Sequence, residues 1–168
     1  KLLRGLVQYS KENGPWLFYR LPSYYSAMYG EQGILKWAKE WKADAIIGQW
    51  NNDTIDLQKE LNIPVVLQNY HHRSVTYSNL TGDYKGTGRM AAQFFAKRMF
   101  RNFAYFGVKG VVWSDERSQG YRQEVKRMGG EYFSFESDKQ EDEIRMEVSQ
   151  WLQKLPKPVA LFCCDDAH

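Results

Sequence analysis

Apolar positions along the chain alternate between a period near 3.6 residues and short continuous runs. This is the pattern of an α/β protein with a parallel sheet. Leu2, Leu3, Leu6 and Tyr9 share one face of a first predicted helix, closed by Asn13-Gly14. Trp16 to Tyr19 predicts a strand stopped by Pro22, and a second helix is expected through Ile34, Leu35, Ala38 and Trp41. Ala45-Ile46-Ile47 predicts a buried strand, Asn52 or Asp53 a cap for a short helix with Ile55 and Leu61, and Ile63 to Leu67 the next strand. His71 to Thr81 is polar and predicts a loop with one extended stretch.

The second half repeats the alternation more strongly. Asp83 stands before a long predicted helix whose buried face would be Met90, Ala91, Phe94, Phe95 and Met99. Asn102 to Gly107 predicts a strand. Ser114 or Asp115 would cap a helix bearing Tyr121, Val125 and Met128, which Gly129-Gly130 ends. Glu131 to Glu136 alternates, Ile144, Val148, Trp151 and Leu155 form a helical stripe, and Val159 to Cys164 predicts a last buried strand. Asp165-Asp166 looks like the cap of a further helix. A chain that opens inside a helix and stops at a helix cap is expected to be a fragment of a longer domain.

Composition narrows the class. The 168 residues are 43% hydrophobic, 26% charged and 15% aromatic, which excludes a disordered chain. Mean hydropathy is −0.63, and the longest apolar run falls far short of the roughly 18 residues of a membrane span, so a soluble protein without membrane contact is expected. Net charge is +3, but residues 1–97 hold twelve Lys and Arg against eight Asp and Glu, and residues 98–168 hold eleven against twelve. Neither part carries the basic stripe of a nucleic-acid surface. Two adjacent cysteines, Cys163 and Cys164, are poor disulfide partners and fit a reducing compartment.

Ligands of open parallel sheets bind beyond the carboxyl ends of the strands. Those ends carry Gln49, Trp50, Asn51 and Asn52 after one strand, and Gln68, Asn69, Tyr70 and two histidines after the next. Gly107 and a loop to Trp113 follow the Phe103 strand, with Arg117 close behind, and Asp165 follows the last. Amides, carboxylates, a guanidinium and aromatic faces suit a small polyol: planar groups pair with neighbouring hydroxyls, and rings cover C–H surfaces. Each residue taken singly is equally well an ordinary loop residue. Arg117 with Asp83 would clamp a neutral polar ligand between donors and acceptors.

Catalytic motifs are scarce. Gly86-Thr87-Gly88 lacks the dinucleotide fingerprint and reads as close helix packing. There is no phosphate loop and no nucleophile elbow. Cys163-Cys164-Asp165-Asp166-Ala167-His168 is better read as two core thiols and a cap than as a metal cluster, since a strand would point its cysteines to opposite faces. His71-His72 reads as a solvated pair, and the sequons at Asn52 and Asn79 as chance. No enzyme, no metal and no cofactor are expected.

Four stretches together resemble the lac-repressor and ribose-binding effector fold, periplasmic binding protein type I. They are Asp83 opening a helix, the strand from Phe103 to Gly107, Arg117-x-x-Gly120-Tyr121, and Lys157 to Asp165. Leu2-Leu3-Arg4-Gly5 with Tyr9-Ser10, Trp41 to Ile47, Trp113 to Arg117 and Trp151 to Pro156 further resemble the effector domain of the AraC-type xylose-operon regulators, over nearly the whole chain. The resemblance implies a three-layer, doubly wound parallel sheet in two lobes, with residues 1–97 in the first (its initial strand missing) and 98–168 in part of the second.

It also implies site residues. Asp83 matches the acidic position opening the helix before the crossover, Arg117 the inducer-contacting arginine, and Trp113 the aromatic of the regulators' loop. Asn69 stands where ribose binders carry an acid. Asp165 matches the second residue of an Asn-Asp pair whose first is Cys164 here. With Trp50 from the strand-end survey, these form the expected ligand set.

The implied protein is a cytoplasmic bacterial transcription regulator of pentose catabolism. It would bind a pentose, D-xylose first, and contact promoter DNA through a C-terminal module outside this chain, with a second copy as a further expected partner in a homodimer. A free sugar-binding protein of a transport system is the alternative, and an α/β enzyme using Asp83, Asp165 or His71 a more distant one.

Overall fold

The computed structural model describes residues 2–50, 55–69, 71–139 and 141–165, apart from the side chains of Ser23, Ser26 and Glu141. Every strand pairing among them is parallel, so each return of the chain needs a crossover rather than a hairpin. The order is α1 (Leu2–Asn13), α2 (Ser23–Glu40), β1 (Ile46–Gly48), α3 (Leu57–Leu61), β2 (Val65–Leu67) and β3 (Ser78–Asn79). Then come α4 (Tyr84–Ala96), β4 (Asn102–Val108), α5 (Val112–Arg127), β5 (Glu131–Ser137), α6 (Glu141–Lys154) and β6 (Val159–Cys163). The chain divides into two compact units, Lys1–Ala45 with Asn52–Pro64, and Ile46–Asn51 with Val65–His168.

The first unit is helical among its described residues. Trp16 to Tyr19 forms no strand: no strand of its own unit offers an edge, and all four side chains are exposed. Their rings pair locally instead, Trp16 with Tyr9 at 5.4 Å and Tyr19 with Trp41 at 4.4 Å. α2 starts eleven residues ahead of Ile34 and is interrupted at Gly30, whose φ of +57° breaks the helical path. Gly33, Leu35 and Ala38 are buried on it. The short helix α3 is capped by Asp56, whose carboxylate accepts from the backbone N–H of Gln58 and Lys59. The expected caps Asn52 and Asp53 lie outside the described residues, as does the sequon they begin.

The second unit holds two parallel sheets, β1-β2-β3 and β5-β4-β6. In the latter, β4 is central and reads as a buried run from Phe103 to Phe106. Its side chains alternate between faces. Phe103 and Tyr105 meet Tyr121 of α5 at 6.1 and 6.4 Å, whereas Phe106 meets Phe135, which stacks on Trp151 of α6 at 5.6 Å. Helices therefore cover both faces, as right-handed crossovers to opposite sides of β4 require. This is a doubly wound α/β fold.

The α5 face carries the core of Ala92, Phe103, Tyr105, Tyr121, Val125, Ala160 and Cys164. Each large side chain buried there contributes roughly 1.5–3 kcal/mol. Both tyrosine hydroxyls are satisfied: Tyr121 donates to the Ala160 carbonyl at 3.2 Å, and Tyr105 to the Ser114 carbonyl at 2.9 Å.

Two expectations about the helices are corrected. The inward face of α4 is not Met90, Phe94 and Met99, which are exposed; it is built on Gly88 and Ala92, with Ala91 and Phe95 packed against the core. The cause is proximity to α5. A Cβ at Gly88 would lie 2.1 Å from the Arg117 carbonyl oxygen, and one at Gly120 would lie 2.0 Å from that of Lys85. Only glycine permits that approach, which bears out the packing reading of Gly86-Thr87-Gly88 at Gly88, whereas Gly86 makes room for the Asp83 cap. Second, α5 begins at Val112, so Ser114 is inside the helix and not its cap. Its buried hydroxyl accepts from the Val108 N–H at 3.0 Å and pairs with Tyr105 at 3.1 Å, stitching α5 to the end of β4.

Candidate functional site

In the sheet β5-β4-β6 the connections leave β4 for β5 and return on its other side to β6. The switch point therefore lies at the carboxyl ends of β4 and β6. Arg117 stands there, in the second turn of α5. One of its Nη groups donates to the Cys164 carbonyl oxygen beyond β6. Its guanidinium lies 5.4 Å from the ring of Trp113 and 5.3 Å from that of Tyr84, so aromatic faces flank the cation. Its Nε is buried and has no hydrogen-bond partner among the described residues. A buried charged donor left unpaired costs on the order of 1–3 kcal/mol.

The other expected residues fall around this point in different ways. Asp83 caps α4, accepting from the Gly86 N–H at 2.7 Å, and the residue that follows it is the ring-bearing Tyr84. Asp165 is half-buried next to the two thiols. Burial pushes the Cys163 and Cys164 thiols up from their ordinary range, and the Asp165 charge adds to it. Both remain protonated, but only Cys164 is the buried core thiol expected; Cys163 is half-buried and outside the core cluster.

Trp50 is buried, and its peptide is held from both sides by Asn69: the Trp50 N–H donates to Asn69 Oδ1 at 3.0 Å, and Asn69 Nδ2 donates to the Trp50 carbonyl at 2.9 Å. Asn69 thus ties the loop after β2 to the loop after β1. Asn51, Asn52, Tyr70 and 166–168 lie outside the described residues.

Residues outside the expected ligand set complete the surroundings. Arg73, in the loop after β2, makes a two-pronged ion pair with Glu116, at 2.7 and 2.6 Å. The Glu116 carboxyl is held below its usual range by that bond, and Arg73 is raised in turn. One residue pair before it, His71 Nδ1 meets the Gly110 carbonyl at 3.3 Å. The loop after β2 is therefore fastened to the start of α5, next to Arg117. At the end of β5, Glu136 accepts from Ser118 at 2.8 Å, and Ser118 pairs with Tyr132 at 3.0 Å. Burial raises the Asp115 carboxyl, and the Glu136 charge raises it further. No residue type in this set is rare, and the signal that marked it was its place after a strand. Among the described residues, no three His, Cys, Asp or Glu side chains converge as a metal site needs.

Chemically the place offers one forked cation with a free donor, two aromatic faces and carboxylates at Asp83 and Asp165. Residues 92–168 match the periplasmic binding protein-like domain. Solved structures show the same periplasmic binding protein-like fold over almost the whole chain. A transcription regulator-like protein from Staphylococcus haemolyticus superposes with a TM-score of 0.66 at 13% identity, covering 95% of this chain and 59% of that one. A LacI-type regulator from Bacillus cereus subsp. cytotoxis NVH 391-98 gives 0.62 at 17% identity, with 98% and 61% covered. A protein named XylFII gives 0.60 at 19% identity, with 96% and 63% covered. The chain thus spans about three-fifths of the length of these periplasmic binding protein-like structures. No curated protein matches it in sequence. Among the described residues, no helix is long and apolar enough to cross a membrane.

Proposed function

We propose that the chain is part of the sugar-binding effector domain of a bacterial transcription regulator, of the AraC-type xylose-operon kind, and that its ligand is a pentose, D-xylose first. The observation that carries the reading is the Arg117 Nε, buried at the topological switch point without a partner and flanked by Trp113 and Tyr84. A sugar hydroxyl accepts from that donor while the rings cover the C–H faces of the pyranose. Asp83 and Asp165 accept from further hydroxyls, and Asn69 acts by holding Trp50 in place. The lobes of the whole domain divide near residue 97, and ligand binding shifts the population toward the closed cleft. The protein works in the cytoplasm, has no catalytic step, and reaches promoter DNA through a separate module, as a homodimer.

Titration calorimetry of the complete effector domain with D-xylose and other pentoses tests this. Saturable heat with a pentose is expected. No heat with any pentose, together with binding of another ligand class, overturns the assignment. Arg117→Ala is expected to cost about 1.5–3 kcal/mol of binding free energy, and unchanged affinity removes Arg117 from the site.

A further inference from the structure

A polar cavity lies in the groove between α4 and α5, with none of the expected ligand residues in its lining. It measures about 400 Å³ and is lined by Lys85, Arg89, Gly120, Gln123, Glu124 and Arg127. Lys85 and Arg89 are one turn apart on α4, and Gln123 and Arg127 one turn apart on α5, so two helix faces present four donor-bearing side chains to one space.

Glu124 is the groove's one carboxylate, and its side chain is only 6% exposed. It accepts from Gln93 Nε2 at 2.7 Å and from Arg127 Nε and Nη2 at 3.0 and 2.6 Å. These bonds hold its carboxyl down to about 2, so it stays ionised and already compensated by Arg127. Lys85 and Arg89 make no hydrogen bond or close ion pair among the described residues, and act only at longer range, Lys85 on Glu116 and Arg89 on Glu124. Three cations against one carboxylate give the lining a formal charge of +2.

We infer that this groove binds a phosphate-bearing small molecule, at a site lined by none of the expected ligand residues. A phosphomonoester carries close to two negative charges at neutral pH and three acceptor oxygens. Arg89 supplies a fork for two of those oxygens, Lys85 a point charge, and Gln123 a neutral donor. The volume falls within the range of small-molecule sites and leaves room for an organic part beyond the phosphate.

Titration calorimetry of this chain at fixed ionic strength, with inorganic phosphate, ribose 5-phosphate and ribose, tests the inference. Saturable binding of the phosphate compounds and none of ribose in this groove is expected. Tighter binding of ribose 5-phosphate identifies a phosphomonoester as occupant, and equal binding identifies the free ion. The double variant Lys85→Gln/Arg89→Gln, whose residues are exposed and outside the Glu124 bonds, is expected to weaken binding by about tenfold or more. Its unchanged thermal midpoint without ligand is the folding control. Arg117→Ala is expected to leave phosphate binding intact, which separates this site from the proposed pentose site. No saturable heat from either phosphate compound overturns the inference. So does equal affinity in the double variant, or loss of binding on Arg117→Ala.

Discussion

The two sheets of the second unit position the groups at their carboxyl ends by different means. In β1-β2-β3 the strands are three, three and two residues long, and the chain beyond them is positioned by side-chain hydrogen bonds to backbone, Asn69 to Trp50 above all. In β5-β4-β6 the strands are seven, seven and five residues long, and Arg117 is positioned by packing: α5 sits on a core of large rings and is pressed against α4 at Gly88. A short sheet needs polar ties to fix its loops. A long buried one fixes its loops by fixing the helices between them.

That contrast predicts a ranking of substitutions. Tyr121→Ala removes the ring that meets Phe103, Tyr105, Tyr132 and Phe162, and is expected to cost about 3–5 kcal/mol in urea unfolding. A much smaller loss would mean that packing is not what holds α5. Asn69→Ala removes two hydrogen bonds and is expected to cost about 1–2 kcal/mol. Hydrogen exchange should speed up at the Trp50 amide while amides of β4 keep their protection. Equal loss in both sheets would dissolve the distinction.

Acid probes the polar exception inside the packed half. Glu124 is held at about 2 against an ordinary 4.5, so its ionised form adds stability that is complete above about pH 4.5 and drains away as pH falls toward about 2. Glu124→Gln is expected to flatten the stability slope across that window in urea unfolding at several pH values. An unchanged slope would assign the acid sensitivity to other carboxylates. The smallest effect is expected from Arg73→Ala. The pair with Glu116 is partly exposed, with Arg73 at 39%, so about 0.5–1 kcal/mol is the expected cost by the same measurement.

The sheets were legible because buried parallel strands are written as apolar runs, and Phe103 to Phe106 and Val159 to Cys163 could be little else. Asp83 as the cap of α4 was legible for a similar reason, since the local chemistry decides it. What escaped depends on neighbours far along the chain. The face of α4 was misplaced because its inward positions are glycine and alanine, chosen for the nearness of α5 rather than for hydrophobicity. Trp16 to Tyr19 has the composition of a strand and no edge in its unit to join. Of the site, Arg117 and Trp113 could be named from their place after a strand. The partners of Arg117, Tyr84 and Cys164, lie more than thirty residues away from it, and nothing local marks Arg73 as the partner of Glu116.

The bond from Arg117 to residue 164 ends on a peptide oxygen. Position 164 therefore takes part in shaping the site through an atom that every amino acid possesses. Its side chain answers to the core behind it, where a buried thiol fits, and the two demands do not compete. An exchange of Cys164 for another small residue that fills the same space would change the spelling of the strand end and leave the arginine where it is.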